Sequence, residues 1–358
     1  MTPNSRRPPL TLKDLAEHLG VSRTTASNAF NRPDQLSGEL RERILGAARE
    51  LGYPGPNPMA RKLRTGRAGS IGLLFSEPLP FAFADPTAIA LLQGVAQVCE
   101  RYQSGLLLIP VVDAVQGTKL VAEAAVDGFL IYCLPEVSPV VPLALERGLP
   151  VVAVDQRGLD DVLSVGIDNQ QAARQAAEHL LALGHRRIAV LSLDLRDDLH
   201  AGPLTPERRR HAEYQTTMMR LESYEATLRA AGVDIAAMPV LECPNNSDVH
   251  ARRLSRALLS GPERPTAILA MSDRLALGAL QAAEDLGIPV PGALSVIGFD
   301  DIPLATQIRP TLSTIHQPLV EKGVIAAELL LEPPARPRHR LLPTRLVVRD
   351  STGPAPVD

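Results

Sequence analysis

The stretch TLKDLAEHLGVSRTTASNAFN, residues 11–31, reads as two short helices around a tight turn. Thr11 can cap the first helix, with Asp14 three residues on closing an acidic capping box. Leu12, Leu15, Ala16 and Leu19 then recur at helical spacing and form one apolar stripe. Gly20 ends that helix, and Ser22 is a good N-cap for the next. Ala26, Ala29 and Phe30 remain for packing, whereas Arg23, Thr24, Thr25, Ser27 and Asn28 stay polar on the early turns. That layout is a helix-turn-helix, whose second helix enters the major groove N-terminus first. An ordinary helical hairpin is the alternative on these residues alone.

Outward from this pair, Ser37 can cap a third helix running to about Leu51, with Gly52 at its end. A stiff linker follows, Pro54-Gly55-Pro56-Asn57-Pro58, and then a short helix over Met59–Arg64. A helix this short is unstable alone in water and forms only against a partner.

Charge divides along the same line. The chain of 358 residues carries 37 Lys and Arg against 40 Asp and Glu, a net of −3. Residues 1–67 hold 12 cations against 6 anions, and the remainder 25 against 34. A +6 module on a −9 body suits a phosphate backbone as partner, because that attraction acts locally.

Beyond Ser70, apolar runs alternate with amphipathic segments: Ile71–Phe75, Leu106–Val112, Gly128–Tyr132, Val151–Val154, Ile188–Leu191, Val240–Glu242, Ala267–Ala270 and Ser295–Phe299 are strands. Helices are expected between them, Thr118–Val126 and Leu221–Ala231 included. Continuous apolar strands each followed by a helix specify parallel sheets covered on both faces. About ten strands fit two doubly wound units better than one.

Ligands of such sheets lie beyond the carboxyl ends of strands. Asp155, Asp273 and Asp300 occupy such ends or the helix starts after them, and Arg220 begins the helix of RLESYEATL. Carboxylates with an arginine can fix hydroxyl groups through charge-assisted hydrogen bonds, though each alone reads more readily as a cap or surface ion pair. Asp273 is expected to be a helix N-cap. Residues 194–219, with Pro203, Pro206 and Arg208-Arg209-Arg210, show no clear period. They leave three readings open: a cover for the cleft, a contact with a neighbouring subunit, or neither.

These strings together resemble the lactose-repressor-like (LacI/GalR) family of bacterial transcription regulators. The resemblance is carried by residues 10–31, LRERILGAARELGY and NPMARKLRTGRAGSIGLLF, and continues through SVGIDNQQAARQAAEHLLALGHRRIAVL, DRLALGALQAAEDLGIPVP, LSVIGFDDIP, PTLSTIHQP and LVVRDSTG. It implies an N-terminal all-α helix-turn-helix headpiece plus an α/β periplasmic-binding-protein-like core of two doubly wound parallel-sheet subdomains. Three crossovers join the subdomains, and an effector binds in the cleft between them. The divisions implied are a basic tail at 1–9, the headpiece at 10–53, linker and hinge helix at 54–68, the core at 69–350 and a tail at 351–358.

Residue by residue, the resemblance places Arg23, Thr24 and Asn28 at base-reading positions, and Ser22, Thr25 and Ser27 against the backbone or adjoining bases. Leu63 becomes the residue wedged into the minor groove, flanked by Arg61 and Lys62; an apolar wedge there unstacks a base step and bends the duplex. Many members carry Arg where this chain has Asn28; Arg favours guanine and Asn pairs with adenine N6/N7, so a changed half-site base is expected. Asp155, Arg220, Asp300 and Gln317 align with effector contacts. Ser272 stands where many sugar-responsive members have Asn, and Phe81 and Phe83 fall in a stretch that often lines the pocket wall.

The function so implied is a DNA-binding transcription regulator, a repressor, controlled by a sugar or sugar derivative. It would bind a pseudo-palindromic double-stranded operator as a homodimer; no heptad tail follows LVVRDSTG to build a tetramer. A solute-binding protein with the same core is the alternative, opposed by the basic headpiece and the absence of a secretory h-region. An enzyme is disfavoured because no P-loop, GxSxG, HExxH or GxGxxG string occurs. Cys99, Cys133 and Cys243 are scattered singly and the histidines lack ligand spacing, so no metal or cofactor is expected. With no 18-residue apolar run, the chain is expected in the cytoplasm, at the nucleoid, with no membrane partner.

Overall fold

Local caps build the first unit. In the computed structural model, which describes residues 10–55, 67–135, 137–156, 159, 162–334 and 339–357, the chain divides into two units, 1–68 and 69–358. Helix α1 (Leu12–Leu19) opens on Thr11, whose hydroxyl accepts from Asp14 N while Asp14 accepts from Thr11 N at 2.8 Å. Gly20, at φ 65°, closes it in the left-handed region that favours glycine. Ser22 caps α2 (Arg23–Asn31), its hydroxyl accepting from Thr25 N at 3.0 Å. Ser37 caps α3 (Gly38–Glu50). Leu15, Ala29, Ile44 and Ala48 form the small core, with Tyr53 edge-on to Phe30 at 5.8 Å. Residues 56–66, and with them Arg61, Lys62, Leu63 and the expected hinge helix, lie outside the described residues.

The second unit contains two sheets. Strands β1 (Ser70–Phe75), β2 (Gly105–Pro110), β3 (Phe129–Tyr132), β4 (Val151–Val154) and β5 (Leu163–Ile167) alternate with helices α4 (Pro86–Arg101), α5 (Ala114–Glu123) and α6 (Val140–Glu146). The chain then enters the second half with α7 (Asn169–Ala182), β6 (Ile188–Ser192), β7 (Gly202–Pro203), α8 (Pro206–Arg210), α9 (Gln215–Ala230) and β8 (Val240–Glu242). It continues through α10 (Asp248–Leu259), β9 (Ala267–Ala270), α11 (Asp273–Asp285), β10 (Ser295–Asp300), α12 (Leu304–Gln307) and β11 (Ser313–His316). Helix α13 (Leu319–Leu331) and β12 (His339–Leu342) return to the first half, and β13 (Arg345–Val347) goes back to the second.

The first sheet has the order β12-β5-β4-β3-β1-β2 and the second β13-β11-β10-β9-β6-β8-β7. The chain therefore passes between the halves three times: after β5, after β11 and after β12. Pairing is parallel except at the edges, where β13 and β7 run antiparallel to β11 and β8. Period-2 alternation explains the double cover. Ile71 and Leu73 of β1 face one core with Leu91 and Val95 of α4, while Leu74 faces another with Val121 of α5 and Val140 of α6.

Several bounds differ from the reading above. Helix α5 starts at Ala114 because Asp113 caps it. Helix α9 starts at Gln215, so Arg220 lies in its second turn rather than at its start. Residues 194–219 are not aperiodic: they contain β7, α8 and the first turn of α9. Residues 351–355 are fastened to the second half, with Ser351 fully buried, Gly353 O 3.0 Å from His185 Nε2, and Ala355 N donating to Leu183 O at 2.8 Å.

Helices α4 and α13 meet backbone to backbone. A Cβ on Gly94 would lie 2.0 Å from Val320 O. Gly94→Ala must force these helices apart and is expected to destabilise the second unit by about 1–3 kcal/mol, read as a lower denaturant midpoint.

Candidate functional site

Two faces carry polar groups in a functional arrangement. On α2, Ser22, Arg23 and Thr24 are exposed, while Thr25, Ser27 and Asn28 are half-buried. Thr25 Oγ1 lies 2.8 Å from Ser22 Oγ, and Asn31 Nδ2 donates to Ser27 Oγ at 3.1 Å. Asn28 Nδ2 donates to Gln35 Oε1 at 3.1 Å, which fixes the plane of the amide and leaves its oxygen as an acceptor.

The second face is a cavity between the two sheets of the body. Asp155, at the carboxyl end of β4 with φ 50°, accepts from Lys322 Nζ at 2.5 Å through Oδ2. Lys322 is fully buried on α13 and also donates to Gln317 Oε1 at 2.6 Å. Gln317 sits on the crossover after β11 and donates to Asp300 Oδ1 at 2.6 Å, at the end of β10. One hydrogen-bonded chain thus runs from the first half through a crossover to the second. Burial pushes the Asp300 carboxyl up, with Arg220 and Gln317 opposing.

Arg220 lines the same cavity. Its guanidinium stacks on Phe299 at 3.6 Å, and donates to Asn169 Oδ1 at 2.9 Å and Met271 O at 2.7 Å. Asp155 Oδ1 is buried and has no hydrogen-bond partner among the described residues. Phe75, Phe81 and Leu91 add apolar side chains to the same lining. A hydroxylated molecule with one apolar face fits that combination.

Of the residues singled out above, the structure brings Phe81, Asp155, Arg220, Ser272, Asp300 and Gln317 to this cavity. Phe83 is not among its lining residues and is 67% exposed. Residues 79–83 form a 3-10 turn, where successive side chains are about 120° apart, so two residues apart cannot share a face. Asp273 is not the N-cap. Ser272 is, at φ −154° with its hydroxyl accepting from Leu275 N at 3.1 Å. Asp273 instead accepts from Thr314 Oγ1 at 2.5 Å and Ile302 N at 2.8 Å, holding the loop after β10.

Sequence reading passed over Lys322, Asn246, Tyr214, Glu77 and Asp194. Lys322 left a signal, being a lone cation on the apolar stripe Leu319, Ala326, Leu330. The segment 194–219 contributes Asp194, Glu213, Tyr214 and Thr216 to the cavity, and Thr216 Oγ1 donates to Asp155 O at 3.1 Å. The segment therefore forms part of the cavity lining.

Glu77, after β1, and Asp194, after β6, repel one another. Burial, then Asp197 and Asp85, push Glu77 up to about 7; burial, then Glu77, push Asp194 up to about 8. Between about pH 4, where free carboxyls titrate, and about pH 8 the folded protein therefore holds more protons than the unfolded chain, and stability falls as pH rises through that window. Burial shifts the half-buried His179 and the buried His185 down, so their contribution changes only below about pH 6.5. The unfolding midpoint is expected to drop from pH 6.5 to 8.5, and Glu77→Gln/Asp194→Asn should reduce that drop to the share carried by Asp300.

A helix-turn-helix unit followed by a two-sheet, periplasmic-binding-protein-like body defines a class of DNA-binding transcription regulators. The chain belongs to the LacI family. Residues 11–57 match the lacI family of bacterial regulatory proteins, and residues 177–352 a periplasmic binding protein-like domain. An HTH-type transcriptional regulator of Mycobacterium tuberculosis is 42% identical over 360 residues, covering 99% of each chain. The HTH-type transcriptional regulator IpsA of Corynebacterium glutamicum is 40% identical over 90% of each. Among solved structures, the lac repressor dimer bound to operator and the anti-inducer ONPF is 25% identical, with TM-score 0.77 over 97% of this chain and 100% of that one. A CelR–cellobiose complex is 29% identical, with TM-score 0.69 over 96% and 100%. No helix among the described residues is long and apolar enough to cross a membrane, and none of their His, Cys, Asp and Glu side chains form a metal-holding group of three.

Proposed function

We propose that this regulator represses transcription from a pseudo-palindromic operator as a homodimer, and that a neutral sugar or sugar derivative in the cleft controls its operator affinity. The observation carrying this reading is the buried chain Asp155–Lys322–Gln317–Asp300, which crosses between the halves beside an Asp155 oxygen with no partner among the described residues. Hydroxyl groups satisfy such acceptors, and Arg220 offers the matching donor. The relatives solved with an operator and with cellobiose support the same assignment.

In this reading Asp155, Arg220, Asp300, Gln317, Ser272 and Phe81 contact the effector. On the DNA, Arg23, Thr24 and Asn28 read bases while Ser22, Thr25 and Ser27 touch the backbone. Arg61, Lys62 and Leu63 engage the minor groove. A ligand shifts affinity only by binding two states of the cleft unequally.

A thermal-shift screen of neutral sugars and their phosphates tests the cleft. A neutral sugar at 100 times its Kd stabilises by about 2.7 kcal/mol, and Asp300→Asn or Arg220→Ala should remove that shift. A hit that stabilises both variants as it does the parent would place the ligand elsewhere.

A further inference from the structure

Asp85 is the N-cap of α4 in the first half of the body and is fully buried. Its two oxygens serve different halves. Oδ1 accepts from Thr87 N at 2.9 Å and Ala88 N at 3.1 Å, closing the helix start. Oδ2 accepts from Asn246 Nδ2 at 2.9 Å, and Asn246 belongs to the second half, after β8. Arg274 of α11 places Nη1 3.6 Å from the same oxygen while Nη2 holds Asp248 at 2.8 Å.

Asn246 is held from both sides. Its Oδ1 accepts the Ser272 hydroxyl, whose oxygen meanwhile caps α11. Asn245 and Asn246 adopt φ 56° and 46°, a left-handed turn that asparagine tolerates better than most residues. Asn246 and Ser272 line the cavity, and Thr87 and Ala88 line it from the other side. The Ser272 hydroxyl hydrogen is thus committed to Asn246, so Ser272 meets a ligand only as an acceptor, and the neighbouring amide comes from Asn246.

We propose that Asp85 is the positioning residue of the cleft: its carboxylate, shared between the two halves, orients the Asn246–Ser272 wall and latches the closed arrangement. The latch is made of protein groups alone, so it sets how often the cleft is closed before any effector contributes. A ligand meeting that wall binds with an affinity scaled by the closed fraction. The inference rests on the reading of the cavity as an effector cleft, but its test uses no effector.

Spin labels at the exposed positions Val115 (α5) and Val249 (α10), introduced by Val115→Cys and Val249→Cys, report the distance between halves by pulsed EPR in full-length protein diluted with unlabelled chain. Cys99 and Cys243 are buried and Cys133 lines the cavity, so the labelled chain also carries Cys99→Ala, Cys133→Ala and Cys243→Ala. Asp85→Asn keeps a good N-cap but sets an amide donor against the Asn246 donor. It is expected to lower the closed-to-open ratio roughly tenfold or more. The exchange Asp85→Asn/Asn246→Asp restores a donor–acceptor pair, with Ser272 still donating, and should recover the short distance. An unchanged distribution in Asp85→Asn would overturn the proposal. So would an exchange variant that stays as open as the single one. Either result leaves the sugar screen untouched, and a failed sugar screen leaves the latch standing.

Discussion

Lys322→Met is expected to destabilise the body by about 3–5 kcal/mol, because it removes the partner of a buried carboxylate while keeping the volume. Lys322 has no solvent exposure, and its ammonium sits 2.5 Å from Asp155 Oδ2 and 2.6 Å from Gln317 Oε1. Methionine leaves the Asp155 carboxylate without its counter-ion, nearly buried and unpaired on both oxygens. At roughly 2–4 °C per kcal/mol for a body of this size, the thermal midpoint should fall visibly. Asp155→Asn in the same chain removes the stranded charge and should recover much of the loss. A near-neutral single variant, or a double variant no better than it, would show that the ion pair is not what Asp155 depends on.

The second large effect is on DNA. Arg23→Ala is expected to weaken binding to an operator found by in vitro selection by about 1–3 kcal/mol, roughly 5- to 150-fold, without moving the thermal midpoint of the body. Arg23 is exposed at the N-terminus of α2, where a groove-entering helix meets base edges first. The loss should be largest for the selected base and small for operators that already lack it. A uniform loss across sequences, with the salt slope reduced by about one, would mean that Arg23 touches phosphate instead. Asn28→Ala should change the preferred base with a smaller loss, since Gln35 already takes one of its amide hydrogens.

What the sequence made legible was local. Thr11, Asp14, Gly20 and Ser22 announce α1 and α2 because capping acts within four residues. The runs SIGLLF and VVAV announce β1 and β4 because strands covered on both faces are apolar throughout. The strands LSVGI and STIH were not legible: each mixes Ser, Gly, Thr or His among too few apolar residues. The same distinction holds in the cleft. Asp155 and Asp300 could be placed because strand ends are predictable. Lys322, which fixes Asp155, lies 167 residues away and meets it only through the crossover; Gln317 was placed by the resemblance, but its bond to Asp300 was not. The exchange between Ser272 and Asn246 was invisible for the same reason, because two turns 26 residues apart deliver it. Phe83 shows the converse error, since a motif position says nothing about which way a one-turn helix points its side chains.

In the proposed function, occupancy of the cleft changes operator affinity. The most direct measurement is an operator titration of full-length protein with and without a saturating neutral sugar from the thermal-shift screen, repeated with Asp300→Asn. The account predicts a change in operator Kd of about 5- to 150-fold in the parent and little or none in the variant. A sugar that stabilises the body through Asp300 yet leaves the operator Kd of the parent unchanged would contradict it.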